Sequence, residues 1–483
     1  MNSTVFHSDT IAAIATSLSD SGIGIIRVSG EDAISIVDKI CVIGNGRKRL
    51  TDVNSHTIHY GHIVKKTSTN RDEIIDEVMI SIMKGPRSYT AEDTVEINCH
   101  GGVLIVQKVL EEVLKAGARL AEPGEFTKRA FLNGRIDLSK AEAVIDIIHA
   151  KNEYALDASV KQLKGSLSDK VRDLRADIIY EIAFIESALD DPEHISLDGY
   201  PNELMAKTDK IIAELERIKN SADNGKIIKE GIHTVIVGKP NAGKSSLLNL
   251  LVGEEKAIVT NIAGTTRDIL EENIKLHGIG LNIIDTAGIR STEDVVEKIG
   301  VEKAKRYAEQ ADLILYVVDS SVPLDESDEQ IMEMIQNKKC IILLNKSDLE
   351  NVVSEEDLRN ILIKRNCINS RNDISGKDFV ILKTSTKENT GIEIFEQTLK
   401  DMFFNGKIQL NDEVCITNMR HKAAIMDALD SMKMVKQSLI DDMPEDFYSI
   451  DLMSAYASLG KIIGEEVDDD LVNEIFSKFC MGK

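Results

Sequence analysis

The sequence predicts a multidomain chain: an α+β N-terminal region, then an all-α region into which a nucleotide-binding α/β domain is inserted. Three observations predict it. Gly238-Lys239-Pro240-Asn241-Ala242-Gly243-Lys244-Ser245 is a GxxxxGK[ST] phosphate loop between a β-branched run and an apolar helical run. From about residue 228 to 405 strand-like and helix-like segments alternate, the pattern of a largely parallel, doubly wound sheet. On both sides of that stretch the apolar period is helical.

Residues 1–125 read as mixed. Ile23–Val28 is strand-like with Arg27 set into it, Glu31–Ile40 reads as a helix, and Val78–Met83 as a strand. Asp93–Cys99 alternates polar and apolar residues up to His100-Gly101-Gly102. A helix follows through Val106, Val109, Leu110 and Val113. Residues 126–225 read as helical: Val160, Leu163, Leu167, Val171, Leu174 and Ile178 form one stripe, and Leu204, Thr208, Ile211, Leu215 and Ile218 another. Pro192 and Pro201 bracket the connection between them. Residues 226–407 form the insert, with strands at His233–Val237, Leu281–Ile284, Leu313–Val318, Cys340–Leu344 and Val380–Leu382. Residues 408–483 return to helix, through Ile425, Leu429, Met432, Val435 and Leu439 and then Ile450–Ile463.

Composition narrows the class. A net charge of −23 cannot hold nucleic acid by overall charge, so any RNA contact needs a local basic surface or a partner. Aromatics are 4% and Trp is absent, so no stacking platform for bases is evident. Six scattered cysteines without a CxxC pair argue against a zinc site or a disulfide framework. The apolar run Ile11–Ala15 is too short for a secretory signal, and no stretch approaches the roughly 20 apolar residues of a membrane span. The expected compartment is the reducing cytoplasm.

Around the phosphate loop, backbone N–H groups from Asn241 to Ser246 face anionic phosphates at a helix N-terminus. Lys244 adds a point charge on the β/γ-phosphates and Ser245 a hydroxyl for Mg²⁺. A glycine turn with no ligand is the bland alternative, and the strand–loop–helix context argues against it. Four further motifs follow in the order a GTPase requires. In Gly264-Thr265-Thr266-Arg267-Asp268, Thr266 is the second Mg²⁺ hydroxyl. Asp285-Thr286-Ala287-Gly288 follows a strand and helps hold Mg²⁺ and the γ-phosphate. In Asn345-Lys346-Ser347-Asp348, the Asp348 carboxylate can accept two N–H bonds from guanine that adenine does not offer. Ser385-Thr386-Lys387 closes the pocket over the guanine O6. Ile289 stands where Ras-like sites carry a water-orienting Gln. Glu297 is the nearest carboxylate for that task, and a solvated helix face explains it equally well on spacing alone.

Beyond the GTPase motifs stand Asp9–Thr16, Gly24–Gly30, Ser88–Asp93, Cys99–Gly102, Pro123–Gly134 and the terminal Phe479-Cys480-Met481-Gly482-Lys483. In these segments, and across its whole length, the chain resembles the MnmE (TrmE) family of tRNA-modification GTPases. The resemblance implies a Ras-like GTPase inserted in a helical domain. It implies an N-terminal domain that dimerises and binds 5-formyltetrahydrofolate through Arg27, Glu96, Arg135 and Lys483. It implies K⁺ held by Asn241, Thr260, Ile262 and Thr265, within the loop Thr260-Asn261-Ile262-Ala263-Gly264-Thr265. It raises Glu297 as the water-orienting residue. It also implies a homodimer that joins MnmG, an FAD- and NADH-using partner, in a heterotetramer modifying C5 of the wobble uridine of certain tRNAs. Arg135 stands where Lys also occurs in relatives, Met481 replaces the more usual Ile, and Ser385-Thr386 departs from the commoner Ser-Ala. Cys480 reads either as a buried terminal thiol or as a participant in the modification chemistry; Gly482 and Lys483 argue against prenylation. The alternative function is an Era-like regulatory GTPase in ribosome assembly without modification chemistry, which would carry a basic RNA-binding domain in place of residues 1–125.

Overall fold

The computed structural model describes residues 9–66, 73–254, 271–276, 279–285, 306–336, 338–364, 379–404, 416–480 and 482. The chain divides into two compact units, one of residues 1–145, 162–192 and 452–483, the other of residues 146–161 and 193–451.

The first unit is built on a seven-stranded sheet. Its strands are β1 (Ile11–Ile14), β2 (Ser21–Ser29), β3 (Cys41–Ile43), β4 (Thr57–Lys65), β5 (Glu73–Met83), β6 (Thr94–Gly101) and β7 (Arg119–Leu120), in the order β3-β4-β5-β6-β2-β1-β7. All neighbours are antiparallel except β1 and β7. In β6 the predicted alternation holds: Val95, Ile97 and Cys99 are buried, and Glu96 and Asn98 between them are half-buried. Helices α1 (Ala33–Ile40) and α2 (Val103–Lys115) pack on this sheet. Burying one apolar face of a sheet under two amphipathic helices gives this unit its core, with Ile26, Val28, Ile80, Ile97 and Val109 at its centre.

Helices α3 (Glu125–Leu132) and α4 (Leu138–His149) follow, and the C-terminal helix α14 (Asp469–Ser477) returns to them. Phe131, Leu138, Ala141, Val472, Phe476 and Phe479 form a separate apolar cluster there. The single stripe expected over Val160–Ile178 is broken at Gly165, into α5 (Glu153–Lys164) and α6 (Ser166–Asp190). Gly165 has φ 109°, in the left-handed region that only glycine enters cheaply, so the apolar period continues across a break that the helix does not pass.

The second unit carries a six-stranded sheet: β8 (Ile232–Val237), β9 (Glu271–Leu276), β10 (Ile279–Asp285), β11 (Leu313–Asp319), β12 (Cys340–Asn345) and β13 (Phe379–Lys383). The order is β13-β12-β11-β8-β10-β9, parallel except for β9. Every residue of β11 and β12 is buried, as expected of strands covered on both faces. Helices α8 (Lys244–Glu254), α9 (Glu326–Met334), α10 (Glu355–Lys364) and α11 (Ile392–Phe404) complete the doubly wound arrangement.

Helix α7 (Tyr200–Glu230) packs on α12 (Met419–Ile440), with Lys436–Asp209 and Lys433–Glu216 ion pairs at the rim, and α13 covers Glu445–Ile463. Pro201 sits in the first turn of α7, where a missing N–H costs nothing. The helix runs past residue 225 to Glu230 and stops at Gly231. Two side-chain amides satisfy its last carbonyls: Asn152 donates to Ile228 O at 2.9 Å and Asn282 to Glu230 O at 2.7 Å.

Candidate functional site

The parallel register of the second unit brings the motif-bearing strand ends together. Asp285 of β10 lies beside Ile236 of β8, Tyr316 of β11 beside Val237, and Asp319 of β11 beside Asn345 of β12. This carboxyl edge, where β8 sits between β10 and β11, is the usual ligand crevice of an open α/β sheet.

The phosphate loop hangs from β8. Gly238 has φ 152° and Gly243 φ 103°. A Cβ on Gly238 would collide with the Val317 carbonyl, and one on Gly243 with the Asn345 amide, so neither tolerates a side chain. Asn241 is also left-handed, with φ 64°. The Lys244 ammonium donates to the carbonyls of Gly238 at 2.7 Å and Lys239 at 2.8 Å, lying back across the loop. Ala242 is buried, and Ser245 and Ser246 are exposed at the first turn of α8. A helix start with its N–H groups, a lysine and an exposed hydroxyl make an anion cradle with a hard oxygen donor, which suits a phosphate and Mg²⁺.

The Asn345–Asp348 and Ser385–Lys387 motifs meet at the neighbouring strand ends. Asn345, buried, donates from its amide nitrogen to Ala242 O at 2.9 Å and accepts from the Thr386 N–H at 3.1 Å. Asp348 accepts from the Ser385 hydroxyl at 2.7 Å, and that bond foremost holds its carboxyl below the usual range, aided by Lys387 and Lys346. Lys346, itself left-handed at φ 62°, pairs with Asp319 at 2.5 Å. Burial pushes the Asp319 carboxyl up, but Lys346 and the Ser321 hydroxyl and N–H outweigh it and hold it low. Asp348 is therefore an oriented, ionised acceptor. Thr260, Asn261, Ile262, Ala263, Gly264, Thr265, Thr266, Thr286, Ala287, Gly288 and Glu297 lie outside the described residues, as does the side chain of Asp285.

A second constellation lies in the first unit. Arg27 and Glu96 are cross-strand neighbours on β2 and β6, and their side chains pair at 2.8 and 2.9 Å. The Arg27 guanidinium stands 5.1 Å from the Tyr89 ring centre and 5.7 Å from that of Phe126, and the Arg135 guanidinium 5.0 Å from Tyr89. Arg27 also donates to the Gly482 carbonyl at 3.2 Å, which brings the C-terminal segment to the same place. Two cations, one carboxylate and an aromatic ring suit a flat ligand with N–H edges and a carboxylate tail. Lys483 lies outside the described residues. Cys480 is exposed, which overturns its reading as a buried thiol: α14 ends before it, and its carbonyl accepts the Gly124 N–H at 3.3 Å.

The sequence reading assigned no role to Tyr89, Asp319 or Lys239. Tyr89 was visible as part of Ser88–Asp93, but the arginine pair around its ring is formed only when distant segments meet.

The family model described as GTP-binding protein TrmE N-terminus matches residues 10–135, and that described as MnmE helical domain matches residues 138–480. Three curated relatives named tRNA modification GTPase MnmE are similar over nearly the full length. That of Lachnoclostridium phytofermentans is 58% identical over 98% of this chain and 99% of its own. That of Acetivibrio thermocellus is 47% identical over 99% and 100%, and that of Alkaliphilus oremlandii 45% over 99% and 100%.

Proposed function

The chain belongs to the MnmE family of tRNA modification GTPases, and from that premise we propose that it couples GTP hydrolysis to a folate-dependent modification of tRNA. Lys244 and the α8 N-terminus bind the β- and γ-phosphates, and Asp348 selects guanine. Ser245 and Thr266 would hold Mg²⁺, and Asn241 with Thr260, Ile262 and Thr265 would hold K⁺; these ions supply positive charge to the transferring phosphoryl group. Glu297 orients the attacking water in place of the absent Gln. Arg27, Glu96, Arg135 and Lys483 hold 5-formyltetrahydrofolate as the one-carbon source. A homodimer works with MnmG, the flavin- and NADH-dependent partner, in a heterotetramer that installs an aminomethyl or carboxymethylaminomethyl group at C5 of the wobble uridine. Exposed Cys480 stands beside Gly482, whose carbonyl meets Arg27, and is available to that chemistry.

The observation that carries the folate reading is the meeting of Arg27, Glu96, Arg135 and the Gly482 carbonyl around Tyr89. A GTPase acting only as a regulator has no use for it. Calorimetry of the intact chain with 5-formyltetrahydrofolate tests it. Saturable binding is expected; no binding would leave the regulatory, Era-like reading in its place.

A further inference from the structure

Lys239, the second residue of the phosphate loop, is tied to a carboxylate far along the chain. Its ammonium lies 2.6 Å from Asp328 Oδ2 and 3.0 Å from Asp325 Oδ2. The Asp328 side chain is 1% exposed. Its other oxygen accepts from the Tyr316 hydroxyl of β11 at 2.8 Å, and Oδ2 also accepts the Asp325 N–H at 2.9 Å. Asp325 in turn caps α9 by accepting the Ser327 and Asp328 N–H groups. On the loop side, the Lys239 carbonyl accepts the Ala242 N–H at 3.3 Å and the Lys244 ammonium at 2.8 Å. One residue therefore joins a fixed, buried carboxylate to the backbone that carries Lys244. The connection from β11 to α9, which carries Asp325, also reaches the Asn345–Asp348 motif, where Ser320 donates from N and Oγ to Asn345 O at 3.0 and 2.9 Å.

A buried ion pair is weak evidence for stability, since apolar replacements often serve as well. Its use here is geometric, because the loop holds Asn241 in the left-handed region and must keep its N–H groups aimed before any phosphate arrives. We propose that Lys239 is a positioning residue for nucleotide binding: its ion pair with buried Asp328 pre-organises the phosphate loop. This rests on reading residues 238–245 as the phosphate cradle. Lys239 acts through the loop backbone rather than on the nucleotide. Loss of pre-organisation is felt on binding, for GTP and GDP alike, while a bound nucleotide re-orders the loop and leaves the chemical step intact.

The test is Lys239→Met in the full chain, with steady-state GTP hydrolysis and GDP titration. KM for GTP and Kd for GDP should both rise about tenfold, with kcat within about twofold. Lys239→Arg keeps charge and reach and should stay within about threefold of the parent in both. Asp325→Ser, at an exposed site, keeps the capping oxygen but removes the carboxylate, and should raise KM about two- to fourfold. A lower kcat with unchanged KM in Lys239→Met, the mark of fewer folded molecules, overturns the proposal. So does an Arg variant as poor as the Met variant. If Lys239→Met does not fold, unchanged KM in Asp325→Ser overturns it. Lys244→Ala separates the two readings: normal GTP binding in that variant removes the cradle itself, whereas lost binding there with normal KM in Lys239→Met removes only the brace.

Discussion

Arg27→Ala is the sharpest perturbation of the proposed folate site. The guanidinium is held by two bonds to Glu96, at 2.8 and 2.9 Å, and one to the Gly482 carbonyl, with its side chain 14% exposed. It is thus fixed before a ligand arrives, and little ordering entropy offsets a new bond to it. One charge-assisted bond contributes about 1.5–3 kcal/mol, which corresponds to a loss of roughly 10- to 150-fold in affinity. The fold should tolerate the change, since a cross-strand pair contributes only about 0.2–1 kcal/mol. GTP hydrolysis should stay near normal, because the phosphate loop belongs to the other compact unit. Calorimetry with 5-formyltetrahydrofolate, run beside a GTPase assay on the same preparation, reads both. Folate affinity within threefold of the parent would refute the assignment, and so would a collapse of hydrolysis with folate binding retained.

Asp348→Asn replaces the acceptor proposed to meet guanine and should weaken GTP binding about tenfold or more, from an unpaired polar group costing about 1–3 kcal/mol; unchanged affinity in a nucleotide titration removes Asp348 from the base site. GTP turnover should be much faster in KCl than in NaCl at equal ionic strength, and Asn241→Ala should abolish the difference; equal rates for the parent protein refute the potassium reading. Burial pushes the Glu125 carboxyl up, but Arg119, the Glu122 N–H and Arg129 together hold it below its ordinary 4.5. Its contribution to stability is therefore present above about pH 4.5 and is lost as pH falls through the lower folded value, so Glu125→Gln should flatten the acid decline of the urea midpoint below about pH 4.5. An identical decline in the variant counts against that network.

Local chemistry explains which parts of this molecule could be read in advance. The continuous apolar runs of β11 and β12 leave no other placement than the middle of a covered sheet, and both strands lie there. The end of α7 was less legible: Asn224-Gly225 offers an earlier stop that the helix runs through to Glu230, and its last carbonyls are met by Asn152 and Asn282, each distant in sequence. Tyr89 and Lys239 were illegible for the same reason: each acts through a partner that only the closed fold supplies.

Asn345 carries the point furthest. It is the first residue of the motif in which Asp348 is the expected guanine acceptor. In the structure both ends of its amide are turned inward, the nitrogen to Ala242 O in the phosphate loop and the oxygen to the Thr386 N–H. A buried amide so engaged is costly to disturb, because each lost partner leaves a desolvated polar group. The motif therefore divides its work: Asp348, with Ser385 on one oxygen, presents a carboxylate, while Asn345 ties the Thr386 segment to the Gly238–Ser245 loop. A motif records which residues a site requires, but which of them hold the site and which meet the ligand is decided by partners up to 103 residues away.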